Sequence, residues 1–237
     1  MTSFPLNRET KTISVQTAPQ AAAQILREAI LSGELKGGDR ILEQHWAKRL
    51  GIGQPTLREA IRELEHQGLV RRTQQRGTYV TKLGLEDYQR ILEVRIPLES
   101  LAVGTAATRL TDESEKDLVK LIRAMEGHGK NNSVGAFHDC DVLFHRTIWN
   151  LAGNEYLSEI LETITFRLFV FSVVGRWPNT PNAAKERQAA IRQHKSILEG
   201  IRMRDAKKAR VAFVRSTVTY WNEQYGLSLN ESALLGM

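Results

Sequence analysis

The sequence predicts a mainly α-helical protein in two parts: an N-terminal winged helix-turn-helix with a small β-hairpin wing, then a C-terminal all-helical antiparallel bundle. Three observations predict it. Apolar residues recur at helical spacing through most of the chain. Gly51-Ile52-Gly53 forms a turn tight enough to join the second and third helices of a helix-turn-helix. Around Gly77 the pattern changes to two short strand-like runs.

The first helix spans Gln20 to Ser32, with Ile25, Leu26, Ala29 and Ile30 at helical spacing and Gly33 as its stop. The second runs from about Leu42 to Leu50. The third, Gln54 to Gln67, tolerates Pro55 in its first turn. It buries Leu57, Ile61 and Leu64 and leaves Gln54, Thr56 and Arg58 pointing outward. Leu69 to Thr73 and Thr78 to Lys82 read as paired strands, joined by Gln74-Gln75-Arg76-Gly77 with the glycine where a positive φ is easiest. Six further helices follow: Leu85–Thr108, Asp112–Glu126, Ser133–Ala152, Glu155–Val174, Ala184–Arg202 and Asp205–Tyr225. Asp112 and Asp205 serve as N-caps, Gly153 is a C-terminal stop, and Trp177 to Asn182 is a break. The expected organisation is a mobile arm at 1–15, a head at 16–82, a bundle at 83–228 and a tail at 229–237.

With 237 residues the chain is long enough for both parts to bury a core. The formal net charge is +6, of which +4 falls on residues 1–81. Arg58, Arg62, Arg71, Arg72 and Arg76 gather on the third helix and the wing, where the phosphates of a bound duplex would lie. No apolar run approaches the roughly 20 residues of a membrane span, and no signal peptide is apparent. The single Cys140 makes no internal disulfide, in keeping with a cytoplasmic protein.

The stretch from Ile25 to Val80 resembles the DNA-binding domain of the GntR superfamily of bacterial transcriptional regulators. Gly33, Gly37-Gly38, Arg58-Glu59-Ala60-Ile61, Gly68-Leu69-Val70 and Gly77 are in register. The resemblance implies contact with double-stranded DNA through Gln44, Gln54, Pro55, Thr56, Arg58, Arg62, Arg76 and Gly77. Two departures bear on the operator: Gly53-Gln54 replaces the Ser-Arg of many relatives, and Gln44 stands where some carry arginine. Glutamine suits adenine and arginine suits guanine, so a changed base preference is expected. Residues 85–225 resemble the FCD effector domain of the FadR subfamily. The matching motifs are Arg95-x-x-Leu98-Glu99, Asp141-x-x-Phe144-His145, Gly153-Asn154-x-x-Leu157, and His194-x-x-Ile197-Leu198 followed by Asp205 and Ala209. Together these imply a ligand-responsive homodimer that binds an inverted-repeat operator, more commonly as a repressor.

Asp141 and His145 are spaced i, i+4, which places a carboxylate and an imidazole one turn apart on one helical face, a two-ligand clamp for a metal. The resemblance implies that His194 faces the same cavity, a donor set suited to zinc, nickel or manganese. The family's usual fourth ligand is a histidine at the position of Ser216. A hydroxyl is a poorer ligand, so the site has three protein ligands or no metal. Asp141 and His145 could otherwise form a hydrogen-bonded pair. Arg95, by resemblance, points into the effector cavity, where it and Ser216 would hold a small organic acid; the alternative is an intrahelical ion pair to Glu99. Trp149, Phe166, Phe169, Phe171, Tyr220 and Trp221 read as mostly core, and His45, His66, His128 and His138 have no supporting partners. Two other readings stay open: a metal-free pocket for a larger apolar or aromatic acid, and a metal-dependent hydrolase, which would need a general base that no HExxH-like motif supplies.

Overall fold

The structure, a computed structural model, describes residues 16–73, 76–175 and 182–236. The arm Met1–Val15, Gln74 and Gln75 of the wing turn, residues 176–181 before the eighth helix, and the side chains of Phe166, Phe169 and Phe171 lie outside the described residues.

Three helices make the head: α1 (Ala18–Leu31), α2 (Glu43–Leu50) and α3 (Gln54–His66). Helix α1 starts two residues earlier than the apolar pattern suggests, because Thr17 and Gln20 form a capping box: the Thr17 N–H donates to Gln20 Oε1 at 2.9 Å and the Gln20 N–H to Thr17 Oγ1. Pro19 fits that first turn, where no partner N–H is needed. Gly51 closes α2 in the left-handed conformation, φ 65°, which lets α3 start three residues later. Leu26, Ile30, Leu57, Ile61 and Leu64 fill the space between α1 and α3 with no exposed surface.

The wing is a sheet of three strands where the sequence predicts two. Strands β1 (Arg40–Ile41), β2 (Val70–Thr73) and β3 (Gly77–Val80) lie antiparallel in the order β1-β3-β2. The missed strand is two residues long, too short for a period of two to register. It is fixed by non-local pairing of Arg40 with Tyr79 and Ile41 with Thr78. Gly77 takes φ 105° at the entry to β3.

The bundle comprises α4 (Leu85–Arg109), α5 (Asp112–Lys130), α6 (Val134–Ala152), α7 (Glu155–Gly175), α8 (Ala183–Arg202) and α9 (Ala206–Tyr225). Helix α5 continues a full turn past Glu126, through Gly127 and Gly129. Each glycine costs roughly 1 kcal/mol of helix propensity, but the Gly129 backbone lies against Phe137 and Ile191, and tertiary packing carries the turn. Helix α9 packs against both α4 and α8. The α8–α9 approach is close at Gly200, where an added Cβ would meet Ala212 Cβ at 2.9 Å.

The segment expected as a tail folds back. Leu227 and Leu229 are buried, Asn222 bonds both the N–H and the carbonyl of Leu229, and a short helix α10 (Glu231–Leu235) follows, with Glu231 paired to Arg215 at 3.2 Å. Among the described residues, no helix is long and apolar enough to cross a membrane.

Candidate functional site

Helices α6 and α8 meet at an ion pair, Asp141 with His194. On α6, Asp141 and His145 lie one turn apart. On α8, His194 stands among the apolar Ala190, Ile197 and Leu198. These three bring one ligand atom each to within 4.8 Å of the others. His145 and His194 are buried, their ring centroids 5.2 Å apart, with Phe144 packed edge-on to both.

Hydrogen bonding fixes which nitrogens face the cluster. The His194 Nδ1–H donates to the Ala190 carbonyl at 2.7 Å, since a carbonyl only accepts. That leaves His194 Nε2 lying 2.7 Å from Asp141 Oδ1. The separation is that of a close ion pair, with Nε2 buried and Asp141 as its neighbour. A ring lone pair facing a carboxylate at this distance needs positive charge between them, a proton or a metal ion. Burial alone would raise the Asp141 carboxyl, but the His194, His145 and His138 rings around it hold it below its ordinary value. Burial pushes His145 down, toward the neutral imidazole that metals bind. One carboxylate and two buried imidazoles fit zinc, nickel or manganese in donor chemistry.

Behind His145 lies a group the sequence reading treated only as Arg95's alternative partner. Glu99, fully buried on α4, accepts the Nδ1–H of His145 at 2.6 Å and the Nε1–H of Trp149 at 3.0 Å on the same oxygen. Its other oxygen pairs with Arg95 Nε at 2.9 Å. Burial works to raise the Glu99 carboxyl; Arg95, His145 and the Trp149 hydrogen bond outweigh it and hold the group at about 2. His145 is therefore held as the Nδ1–H tautomer, with Nε2 the ring atom offered to the cluster, the arrangement typical of carboxylate-backed metal histidines. The i, i+4 spacing of Arg95 and Glu99 was visible in the sequence; their burial beside His145 and Trp149 was not.

Arg95 sits in this ion pair, 3% exposed. Ser216 is half-buried on α9, its hydroxyl donating to the Phe213 carbonyl at 3.1 Å. Tyr220, one turn further along α9, has its hydroxyl pushed well up, first by burial and also by Tyr225, Asp141 and Glu186. Burial of the Tyr220 hydroxyl agrees with the reading of this aromatic as core. Trp221 belongs to the core, its ring tilted 39° against Tyr225 at 4.4 Å between centroids. Of the histidines set aside, His138 is buried and pushed down by that burial.

On the head, Gln54, Pro55 and Thr56 form the first turn of α3 and Gln44 the exposed first turn of α2. Arg58 and Arg62 are exposed on α3, and Arg76 is exposed beside Gly77 at the wing. Arg58 Nε donates to Glu43 Oε2 at 2.8 Å, and Arg72 reaches the other Glu43 oxygen at 4.0 Å. Glu43 thus ties the first turn of α2 to α3 and the wing, a role that only the tertiary fold exposes.

Two family descriptions match the chain: "Bacterial regulatory proteins, gntR family" over residues 19–80 and "FCD domain" over residues 90–216. Among curated proteins, the chain is 28% identical over 190 residues to the uncharacterized HTH-type transcriptional regulator YdhC of Bacillus subtilis, covering 78% of this chain and 81% of that one. It is 23% identical over 180 residues to a gluconate operon transcriptional repressor of Bacillus licheniformis, covering 76% and 74%. Among solved structures, E. coli McbR/YncC aligns over 89% of this chain and all of its own, with a TM-score of 0.71 at 20% identity. A GntR regulator from Rhodococcus sp. RHA1 aligns over 92% and 97% with a TM-score of 0.69 at 19% identity. At such identities these two structures speak for the fold.

Proposed function

Because this chain belongs to the gntR family of bacterial regulatory proteins and carries an FCD domain, a transcriptional regulator and not an enzyme, we propose that it is a cytoplasmic, homodimeric repressor relieved by a small organic acid bound at a metal in the bundle. The observation that carries the effector part of this reading is the convergence of Asp141, His145 and His194 within 4.8 Å, with both histidines buried. Those three residues would hold the ion, which supplies a Lewis-acidic anchor for a carboxylate. Ser216 at the usual fourth position leaves room on the ion for that carboxylate or for water. Ser216 and Arg95 would be secondary contacts for the acid, Arg95 only if the acid draws it away from Glu99.

The dimer reading rests on exposed apolar side chains gathered on α4 and α7. Val94 and Leu101 lie two turns apart on α4, and Tyr156 and Ile160 one turn apart on α7, all at least 43% exposed. Two heads held by such a dimer would each lay α3 in a major groove through Gln54, Pro55, Thr56, Arg58 and Arg62, with Gln44 alongside and Arg76 and Gly77 at the backbone or minor groove. The repressor sign is supported by the name of the Bacillus licheniformis relative.

Selection from a random duplex library tests the reading. An enriched inverted repeat bound by two chains supports it, and enrichment of a single half-site bound by one chain contradicts it. Adding zinc with candidate acids to the selected duplex then tests the effector part. Release that depends on both supports it; release by an acid in zinc-free, chelator-treated protein favours a metal-free pocket.

A further inference from the structure

Arg187 is a buried cation that the proposed regulator mechanism does not use. It lies on α8, only 5% exposed, and its Nε and Nη1 are buried without a hydrogen-bond partner among the described residues. A buried guanidinium with idle donors is costly unless something anionic meets it.

Arg187 lines a cavity of about 540 Å³ between the C-terminal half of α5 and the N-terminal half of α8. Lys130, Arg192 and Lys195 line the same cavity. Lys195 is paired with Glu126 at 2.7 Å. Lys130, Arg187 and Arg192 have no ion pair among the described residues, and four cations and one acid, Glu126, line the cavity. Its volume is that of a small-molecule site. Arg192 offers a planar fork and Lys130 a flexible ammonium at the rim, while Arg187, with Nε and Nη1 buried, sets its positive charge in the cavity wall.

We infer that the α5–α8 cavity is a second ligand site, separate from the Asp141–His145–His194 cluster, which takes a small organic anion bearing at least two acidic groups. One acidic group meets Arg187 at the floor and the other meets Lys130 and Arg192. A single-charged acid would leave the rim cations unanswered, so affinity should rise with the number of acidic groups. Because α8 also carries His194, occupancy here bears on the helix that supplies a ligand to the cluster.

Calorimetric titration of the full chain with citrate and, separately, pyrophosphate tests this, the pair distinguishing carboxylate from phosphate recognition. Saturable binding of at least one probe is expected, weakened about tenfold or more by Arg187→Gln through loss of charge-assisted hydrogen bonds. The exposed pair Lys130→Gln/Arg192→Gln should weaken it as well, and carries the test if Arg187→Gln does not fold. The titrations use chelator-treated protein, in which the cluster holds no metal to anchor an acid. Absence of binding by both probes at millimolar concentration would overturn the inference, as would affinities unaltered in the arginine and lysine variants. Binding that appears only after zinc is restored would assign the anion to the metal cluster instead and equally overturn it, while leaving the proposed effector reading intact.

Discussion

Glu99 Oε1 accepts the Nδ1–H of His145 at 2.6 Å across the α4–α6 interface. One buried carboxylate thereby neutralises Arg95, fixes the tautomer of a cluster histidine and satisfies the Trp149 indole. Removing it should do two separable things. Glu99→Leu leaves Arg95 buried without its partner, which costs about 3–5 kcal/mol. The double variant Arg95→Met/Glu99→Leu should recover much of that loss, a coupling that urea unfolding of the two single variants and the double will measure. In both Glu99→Leu backgrounds zinc affinity should fall by about 10- to 100-fold, because the ring loses its orienting acceptor. Unchanged zinc affinity in the stable double variant would deny Glu99 its orienting role.

The same carboxylate sets an acid limb in metal-free protein. Its folded value, about 2, lies below the ordinary 4.5. The stability it contributes is therefore fully present above about pH 4.5 and is lost as pH falls toward 2. Unfolding free energy measured from pH 6 to 2 after chelation should drop through that window, and the Arg95→Met/Glu99→Leu variant should show a shallower drop. Parallel profiles would contradict the assignment.

For the head, Arg58→Ala should weaken operator binding by about 1–3 kcal/mol without unfolding the protein. Its ion pair to Glu43 is more than half exposed on the arginine side and contributes little stability. Arg76→Ala should weaken specific and random duplexes equally, as a phosphate contact does. Anisotropy titrations at two salt concentrations separate the outcomes; unchanged affinity for Arg58→Ala at physiological salt would remove it from the interface.

Ser216→His should tighten zinc binding, because an imidazole replaces a weaker oxygen donor at the usual fourth position. Calorimetry on chelated protein is the check. Affinity equal to that of the unsubstituted chain would mean that the α9 position does not reach the ion.

Local rules carried much of the fold into the sequence. Gly51 and Gly153 stop helices where expected, both left-handed, and Asp205 caps α9 through the Lys208 N–H. What stayed hidden is non-local. Strand β1 exists only because β3 pairs with it, and the turn past Glu126 is supported by Phe137 and Ile191 from other helices. In the site, Asp141 and His145 were legible from an i, i+4 spacing. His194, some fifty residues away, came only through resemblance. Glu99 needed the tertiary packing to bring it beside His145; Trp149 follows His145 at i+4 on the same helical face, but its bond to Glu99 of α4 is non-local.

Elemental analysis of protein purified without a nickel column tests the central claim most directly. The account predicts about one zinc, nickel or manganese per chain, depleted in His194→Ala, which keeps only the Asp141–His145 pair. Protein that contains none of these metals, and that binds none of them by calorimetry while still binding an acid effector, would contradict it.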